Sequence, residues 1–423
     1  MTTTRVLVLG GGFGGVEAAR QLERMLRRRP DVDITLVSRD NFFLFTPMLH
    51  EVAASDVDIT HIVSPLRALL HRTTVVVGDV HSVDLERRAV RVTHGFDAHD
   101  HELRYDQLLI ALGSTTNFYG LPGLAEHALT MKTLGDAIHL RNRVIATLEQ
   151  ASTECGAAED GLLTVVVAGG GFAGVETIAA LNDFVREALE FYPRLRQQDV
   201  RMVLVHSGSH ILPELGDALG VYAAQKLGMR GVEILTNARV AAVDAHGVTF
   251  ADGRRIASRL VVWTAGTSPH PLLHDLPCGL DHGRVVTDET LAVPGWSGVW
   301  ALGDCAVVPD RRTGKPYPPT AQHALREART AAANILATLE GRTAAPFAFR
   351  TIGQLAAIGR RTGVARIFGV KFSGFIAWWL WRTIYLSKLP RFEKKVRVAI
   401  DWTLDLMFTK DFVQFLTVRE TKG

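Results

Sequence analysis

Apolar and polar residues alternate in blocks, and one block pattern occurs twice. Residues 6–22 read VLVLGGGFGGVEAARQL and residues 165–181 read VVVAGGGFAGVETIAAL. In each copy a short unbroken run of apolar, largely β-branched residues (Val6–Leu9; Thr164–Val167) predicts a strand buried on both faces. A glycine cluster follows: Gly10, Gly12 and Gly15 in the first copy, Gly169, Gly171 and Gly174 in the second. Small residues at helical spacing then predict a helix. A second strand comes later in each copy, DITLVS at 33–38 and RMVLVH at 201–206. The pattern is strand–helix–strand, twice.

Each copy also has a closing segment. DQLLIALGSTTN (106–117) parallels RLVVWTAGTSPH (259–270), an apolar strand that ends in small residues and then hydroxyls. Both are preceded by β-rich stretches, 74–92 and 232–256, so the repeat is a whole domain. GWSGVWALGDCAVV (295–308) supplies one more strand, and AQHALREARTAAANILATLE (321–340) a helix with no counterpart of its own. Economy assigns both to the first domain, with the second inserted in it. The expected fold class is α/β, with two Rossmann-like dinucleotide-binding domains. The expected boundaries are 1–118 and 286–345 for the first domain, 119–285 for the second with its linkers, and 346–423 for a separate C-terminal region.

The glycines carry the first chemical inference. In a strand–loop–helix context the first glycine permits a tight turn, the second lets the backbone approach a pyrophosphate, and the third packs helix on strand. The phosphate then lies at the helix N-terminus, where backbone N–H groups and the dipole favour an anion. Two such loops predict two dinucleotides. Hydride passes readily between a flavin and a nicotinamide, so FAD and NAD(P)H are the expected pair. At Gly303-Asp304 a strand end offers a carboxylate to a ribityl hydroxyl. The acid that usually binds the adenosine ribose is missing from both copies: the second strand ends in Ser38-Arg39-Asp40 in one and His206-Ser207-Gly208 in the other. No arginine sits beside His206 either, so NADH is the expected coenzyme and NADPH stays open.

Composition adds little until the chain is divided. It is 47% hydrophobic and 22% charged with a net charge of +3, which is ordinary for a folded protein and argues against general disorder. Residues 360–423, however, hold 13 Lys/Arg against 5 Asp/Glu, so the basic excess belongs to the tail. Such asymmetry suggests an anionic membrane or nucleic acid as partner. Three cysteines without CxxC spacing support neither a disulfide framework nor a zinc site. Cys305 lacks the partner that a dithiol flavoenzyme needs and reads as a small buried residue. HGFDAHDHEL (94–103) is rich in ligand-type side chains but lacks metal spacing; a solvated hairpin turn is expected, and no metal site. After MTTTR the chain enters a strand directly, so no signal peptide is expected, and the catalytic body is placed in the cytoplasm.

The most apolar window is 367–386, IFGVKFSGFIAWWLWRTIYL, which carries Lys371 and Arg382 and is a poor transmembrane span. Trp378, Trp379, Trp381 and Trp402 fall in the tail, interleaved with Lys388, Arg391, Lys394, Lys395 and Arg397. Aromatic rings on one side and cations on another describe amphipathic helices lying in a bilayer interface. A second such helix is expected at 397–416, and deletion of 367–423 is expected to solubilise the protein. An aromatic-rich dimer interface is the competing reading, and both could hold together.

The set GGGFGGVE, LFTPMLHEVA (44–53), IALGSTTNFYGLPG (110–123), GGGFAGVE, ALGDCA (301–306) and PPTAQHA (318–324) resembles the type II NADH dehydrogenases, the single-subunit, non-pumping NADH:quinone oxidoreductases. The resemblance covers essentially the whole chain. It implies FAD on the first copy, held by Gly10, Gly12, Phe13, Gly14, Gly15, Ser38, Arg39, Thr46, Val80, Ala111, Gly113, Gly303, Asp304, Ala321 and Gln322. It implies NAD(P)H on the second, held by Gly169, Gly171, Phe172, Gly174, Glu176, His206, Ala265 and Gly266. Thr46-Pro47 would lie by the flavin ring, Glu176 near the nicotinamide, and a quinone near Gln322, which makes Glu176, Gln322 and Pro47 the candidate catalytic residues. The family's quinone pattern is Ala-Gln-x-Ala-x-Gln, and here the last position is Arg326. The expected protein is a membrane-surface, FAD-dependent NADH:quinone oxidoreductase of the respiratory chain. It would be peripheral on the cytoplasmic face of the cell membrane, homodimeric, and without a nucleic-acid partner. A sulfide:quinone reductase and a nicotinamide-responsive flavoprotein switch are the alternatives.

Overall fold

The computed structural model describes residues 3–95, 98–154 and 160–415. The chain forms two compact units. The first comprises residues up to Leu44, Val63–Thr115 and Thr267–Thr351; the second comprises Phe45–Ile62, Thr116–Gly266 and the chain from Ile352 onward.

In the first unit a five-stranded parallel sheet runs in the order Val299–Ala301, Gln107–Ile110, Thr4–Leu9, Val32–Ser38, Thr74–Val77. The glycine-loop strand is central, and Val6, Leu7, Val8 and Leu9 are all buried. That double-sided burial is why its sequence reads as a continuous apolar run rather than an alternation. The loop helix Phe13–Met25 packs on the return helix Ala321–Leu339, where Arg329 Nε meets the buried Glu17 at 2.7 Å. Of the His-rich 94–103 segment, His94 ends strand Ala89–His94 and residues 99–103 lie in its antiparallel partner His99–Arg104; Phe96 and Asp97 lie outside the described residues, as does Cys155.

The second unit repeats the plan. Its parallel sheet runs Ala128–Thr130, Leu260–Trp263, Thr164–Ala168, Arg201–Val205, Val232–Leu235, again with the glycine-loop strand in the centre. The second loop helix spans Phe172–Ala188.

Two segments depart from the sequence expectation. Residues 45–62, expected with the first domain, pack in the second unit, where Lys394 Nζ donates to Thr60 O and His61 Nδ1 lies 2.5 Å from Asp401 Oδ2. The C-terminal region, expected as a separate body, also belongs to the second unit from Ile352. It begins as an antiparallel sheet of Gly353–Ala357, Gly363–Ile367 and Val370–Ser373. Helices Gly374–Lys388 and Phe392–Asp405 follow. Apolar window 367–386 is therefore a strand turn followed by a helix. The helix expected at 397–416 starts earlier and stops at Asp405; residue 416 lies outside the described residues. Tertiary contacts pull the chain out of helix beyond that point: Lys410 Nζ reaches Asp56 Oδ1 at 2.5 Å, and Phe412 packs on Phe184 and Phe191.

Candidate active site

The two glycine loops are built alike to a fine level. Gly10 and Gly169 have φ of +113° and +125°, and a Cβ there would lie 2.2 Å from Ala111 O and 2.5 Å from Thr264 Oγ1 respectively. At Gly15 and Gly174 a Cβ would lie 1.8 Å from the carbonyl oxygen of Gly10 or Gly169, so the helix sits directly on its own loop. Gly12 and Gly171 are the opposite case: a Cβ would meet nothing within 4 Å. Yet both hold the N-cap position, and no side chain caps either helix among the described residues. The second glycine thus faces open space at an uncapped helix N-terminus, which suits close approach by a pyrophosphate. Both loops fit a dinucleotide on this ground.

Around the first loop, Gly14 packs against Leu302, and the Phe13 ring meets Phe43 edge-on at 5.0 Å. Buried Ser38 presses its hydroxyl on Gly11, while Arg39 is exposed beside Asp40. Val80 is half-buried in a strand paired with Val92. Ala111 is buried and Gly113 (φ +68°) borders open space. Asp304 Oδ2 accepts from Ser114 Oγ at 2.8 Å. Gly303 (φ +73°) donates its N–H to Glu327 Oε2 at 2.8 Å; burial pushes the pKa of this carboxyl up to about 7. Ala321 and Gln322 open the return helix. Along it, Arg326 lays its guanidinium over the Phe349 ring at 4.1 Å and donates to Gln322 O at 2.8 Å. Cys305 donates its thiol to Leu302 O, and burial raises its pKa to about 11; this is an inert thiol.

In the second unit Thr46 and Pro47 form a short 3-10 turn, Thr46–Met48. Phe172 opens the loop helix, and His206 packs on Gly170. Past the closing strand, Ala265 is half-buried and Gly266 takes φ +84°. Glu176 is buried, and both of its donors converge on one oxygen: Trp381 Nε1 at 2.9 Å and Ala357 N at 3.1 Å both reach Oε1. Burial raises its pKa to about 8. The carboxyl is therefore protonated at neutral pH, with Oε2 as the hydroxyl oxygen. His50 Nδ1 lies 3.8 Å from Oε2, but burial drives the imidazole down to about 3. The pair is neutral on both sides, and no ion pair forms.

Three acids were missed by sequence reasoning. Glu17 occupies the position in the first copy that Glu176 holds in the second, a correspondence visible in the repeated Val-Glu. Glu51, pushed up to about 8 by burial, accepts from Trp402 Nε1 at 3.1 Å. Glu327 is the third, and nothing in an alanine-rich helix marks it.

A pair of Rossmann-type units, each with a dinucleotide-ready glycine loop, defines the class: a two-dinucleotide oxidoreductase. The sequence profile of the pyridine nucleotide-disulphide oxidoreductases matches residues 4–328, and that of the NDH2 C-terminal domain matches residues 352–411. A type II NADH:quinone oxidoreductase of Mycobacterium tuberculosis is 34% identical over 423 residues, covering 96% of this chain and 89% of that one. The fold of an NDH2 from Plasmodium falciparum, solved in complex with NADH, superposes with a TM-score of 0.90 at 19% identity, covering 97% of this chain and all of that one. A sulfide:quinone oxidoreductase from Aquifex aeolicus shares the fold less closely, with a TM-score of 0.72 at 18% identity over 97% of this chain and 96% of that one. The chain belongs to the pyridine nucleotide-disulphide oxidoreductase family and, within it, to the type II NADH:quinone oxidoreductases.

Proposed function

We propose that this chain oxidises NADH at its second glycine loop and delivers the electrons, through FAD held at its first, to a quinone. The observation that carries the reading is the shared geometry of the loops, each with its middle glycine facing open space at an uncapped helix N-terminus. FAD supplies the two-electron relay between coenzyme and quinone; the protein supplies binding, orientation and proton control.

Gly10, Gly12 and Gly15 would hold the FAD pyrophosphate, with Gly14 and Phe13 shaping the same turn. Asp304 would accept from the ribityl chain, and Thr46-Pro47 would lie by the flavin ring. Gly169, Gly171 and Gly174 would hold the NADH pyrophosphate. Glu176, near the nicotinamide, keeps its proton at neutral pH because its charge would be buried, and Trp381 and Ala357 fix the acceptor oxygen so that the proton stays on the other. Gln322 would position the quinone. Arg326 stands where the family pattern has glutamine, so a fixed cation adjoins that position.

The body is proposed to sit on a membrane surface at the cytoplasmic face. Among the described residues no helix is long and apolar enough to cross a membrane. Helix Phe392–Asp405 exposes Phe392, Val396, Ile400 and Leu404 at four-residue spacing, and helix Gly374–Lys388 exposes Phe375, Ile376 and Trp379. Apolar faces beside Lys388, Lys395 and Arg397 suit an anionic lipid interface. A homodimer is proposed as well.

Anaerobic mixing tests the reaction. NADH should bleach the flavin, and a short-chain quinone added afterwards should restore it within the catalytic cycle time. Bleaching without quinone-dependent recovery would overturn the reading in favour of a nicotinamide-responsive switch.

A further inference from the structure

Strand Thr164–Ala168, which leads into the second glycine loop, lies between Arg201–Val205 on one side and Leu260–Trp263 on the other, all parallel. In a sheet of this kind the adenosine ribose sits at the end of the second strand, here Arg201–Val205. A dinucleotide whose pyrophosphate lies on the loop must then carry its nicotinamide half to the other side, over the end of Leu260–Trp263. That end adjoins the loop directly: a Cβ on Gly174 would lie 2.6 Å from Thr264 Oγ1.

A turn is fastened to this strand end. Trp263 Nε1 donates to Asn117 O at 2.8 Å, and Asn117 N donates to Gly266 O at 3.3 Å. Asn117 Oδ1 accepts from Tyr119 N at 2.7 Å. Phe118 and Leu121 pack on the core of the unit, which leaves Tyr119 turned outward between them. Tyr119 is 60% exposed and has a φ of +52°. The left-handed region is unfavourable for a bulky residue, whereas glycine adopts it freely. The phenol lies over Gly266, where a Cβ would fall 2.7 Å from Tyr119 Cζ. Neither the core nor the turn uses this ring, yet the chain holds it in an unfavourable conformation at the edge of the coenzyme cleft. Such conformations cluster at ligand clamps.

We propose that Tyr119 is a coenzyme contact whose ring packs on the nicotinamide half of NADH at the end of Leu260–Trp263. The proposal rests on the reading that the second loop holds NADH, and it adds the residue that grips the hydride-bearing half.

The test is saturation of the anaerobic bleaching rate of the FAD-loaded full chain by NADH, alongside competition by ADP. ADP carries the adenosine and pyrophosphate but no nicotinamide. Tyr119→Gly should raise the apparent Kd for NADH by about tenfold, the size of one aromatic contact, and leave the inhibition constant of ADP unchanged. Glycine suits the positive φ, so this variant should fold; Tyr119→Asn, which also tolerates that region, serves as a second one. Tyr119→Phe keeps the ring and should restore the wild-type Kd. An unchanged Kd in Tyr119→Gly and Tyr119→Asn would overturn the proposal. So would NADH and ADP constants that rise together, because the change would then act on the whole loop. A loss in Tyr119→Phe equal to that in Tyr119→Gly would overturn packing by the ring. If NADH does not bleach the wild-type flavin, the underlying reading falls and this one with it.

Discussion

The indole N–H of Trp381 donates to Glu176 Oε1 at 2.9 Å across 205 positions of sequence. The last residue of the second glycine-loop motif is thus completed by the C-terminal region. Trp381→Phe removes that donor and leaves Ala357 N–H as the one remaining bond to Oε1 among the described residues. Losing one of two hydrogen bonds to a buried oxygen costs about 0.5–1.5 kcal/mol. Chemical denaturation should show a loss of that size, while FAD content stays at the wild-type level. If the pH dependence of flavin reduction by NADH moves as well, Glu176 is acting at the coenzyme site. An unchanged profile would confine the contact to stability.

The glycines separate folding from binding. Gly15→Ala places a methyl 1.8 Å from Gly10 O, a clash with backbone that cannot rotate away. Gly12→Ala places it in open space. Gly15→Ala should therefore fail to fold or fall steeply in melting temperature. Gly12→Ala should fold and lose FAD affinity by about tenfold or more, since the pyrophosphate can no longer close on the backbone. In the second copy, Gly171→Ala should raise the KM for NADH with full FAD occupancy. Absorbance ratios at the flavin band and a KM series read all three. Retention of FAD by Gly12→Ala would remove the first loop as the flavin site.

Much of this was legible in the sequence because each loop packs an entire local mechanism into some twenty residues. Gly10, Gly12 and Gly15 do three different jobs, and only glycine does each of them. The tail was less legible. Trp379 and Trp381 lie two positions apart in one aromatic run, yet Trp379 is exposed and Trp381 is 1% exposed. Apolar spacing alone cannot say which face of such a helix is buried and which is exposed, because both faces carry the same kinds of side chain. The packing of residues 45–62 in the second unit is hidden from the sequence for a related reason. Their allegiance is set by Glu51, Thr60 and His61 meeting Trp402, Lys394 and Asp401, and no local pattern announces partners more than 300 residues away.

That arrangement reverses the expected outcome of truncation. Removing 367–423 strips Trp381 from Glu176, Trp402 from Glu51 and Lys410 from Asp56, so two buried acids and a half-buried one each lose a partner. An aggregated or unstable product is expected, not a soluble enzyme. Membrane contact should instead be lost by polar substitutions on the exposed stripe, such as Phe392→Ser, Val396→Ser and Ile400→Ser together. These leave the buried face of that helix, Val398 and Trp402, untouched. The triple variant should keep the wild-type melting temperature and fail to co-sediment with anionic vesicles. Persistent co-sedimentation would show that this stripe is not the lipid contact.

The buried acids also fix a sign for the pH dependence of stability. Glu51 and Glu176 are raised from 4.5 to about 8, and Glu327 to about 7. In each case the folded state holds a proton that the unfolded chain releases above its ordinary carboxylate pKa. Stability from these groups is fully present below about pH 4.5 and is lost as pH rises toward the folded values. His50 works the other way, since its folded pKa is lowered to about 3. Its contribution grows with pH up to the unfolded value near 6.5 and is constant above it. From about pH 6.5 to 8 the histidines lowered by burial, His50, His206, His270 and His323, approach their constant limit while the carboxyls keep sloping, so the unfolding free energy of the FAD-loaded protein should fall with pH across that window. Glu51→Gln and Glu176→Gln should each flatten the slope by one group's share. If stability rises or stays level from pH 6.5 to 8 in the wild type, these carboxyls are not buried with their protons.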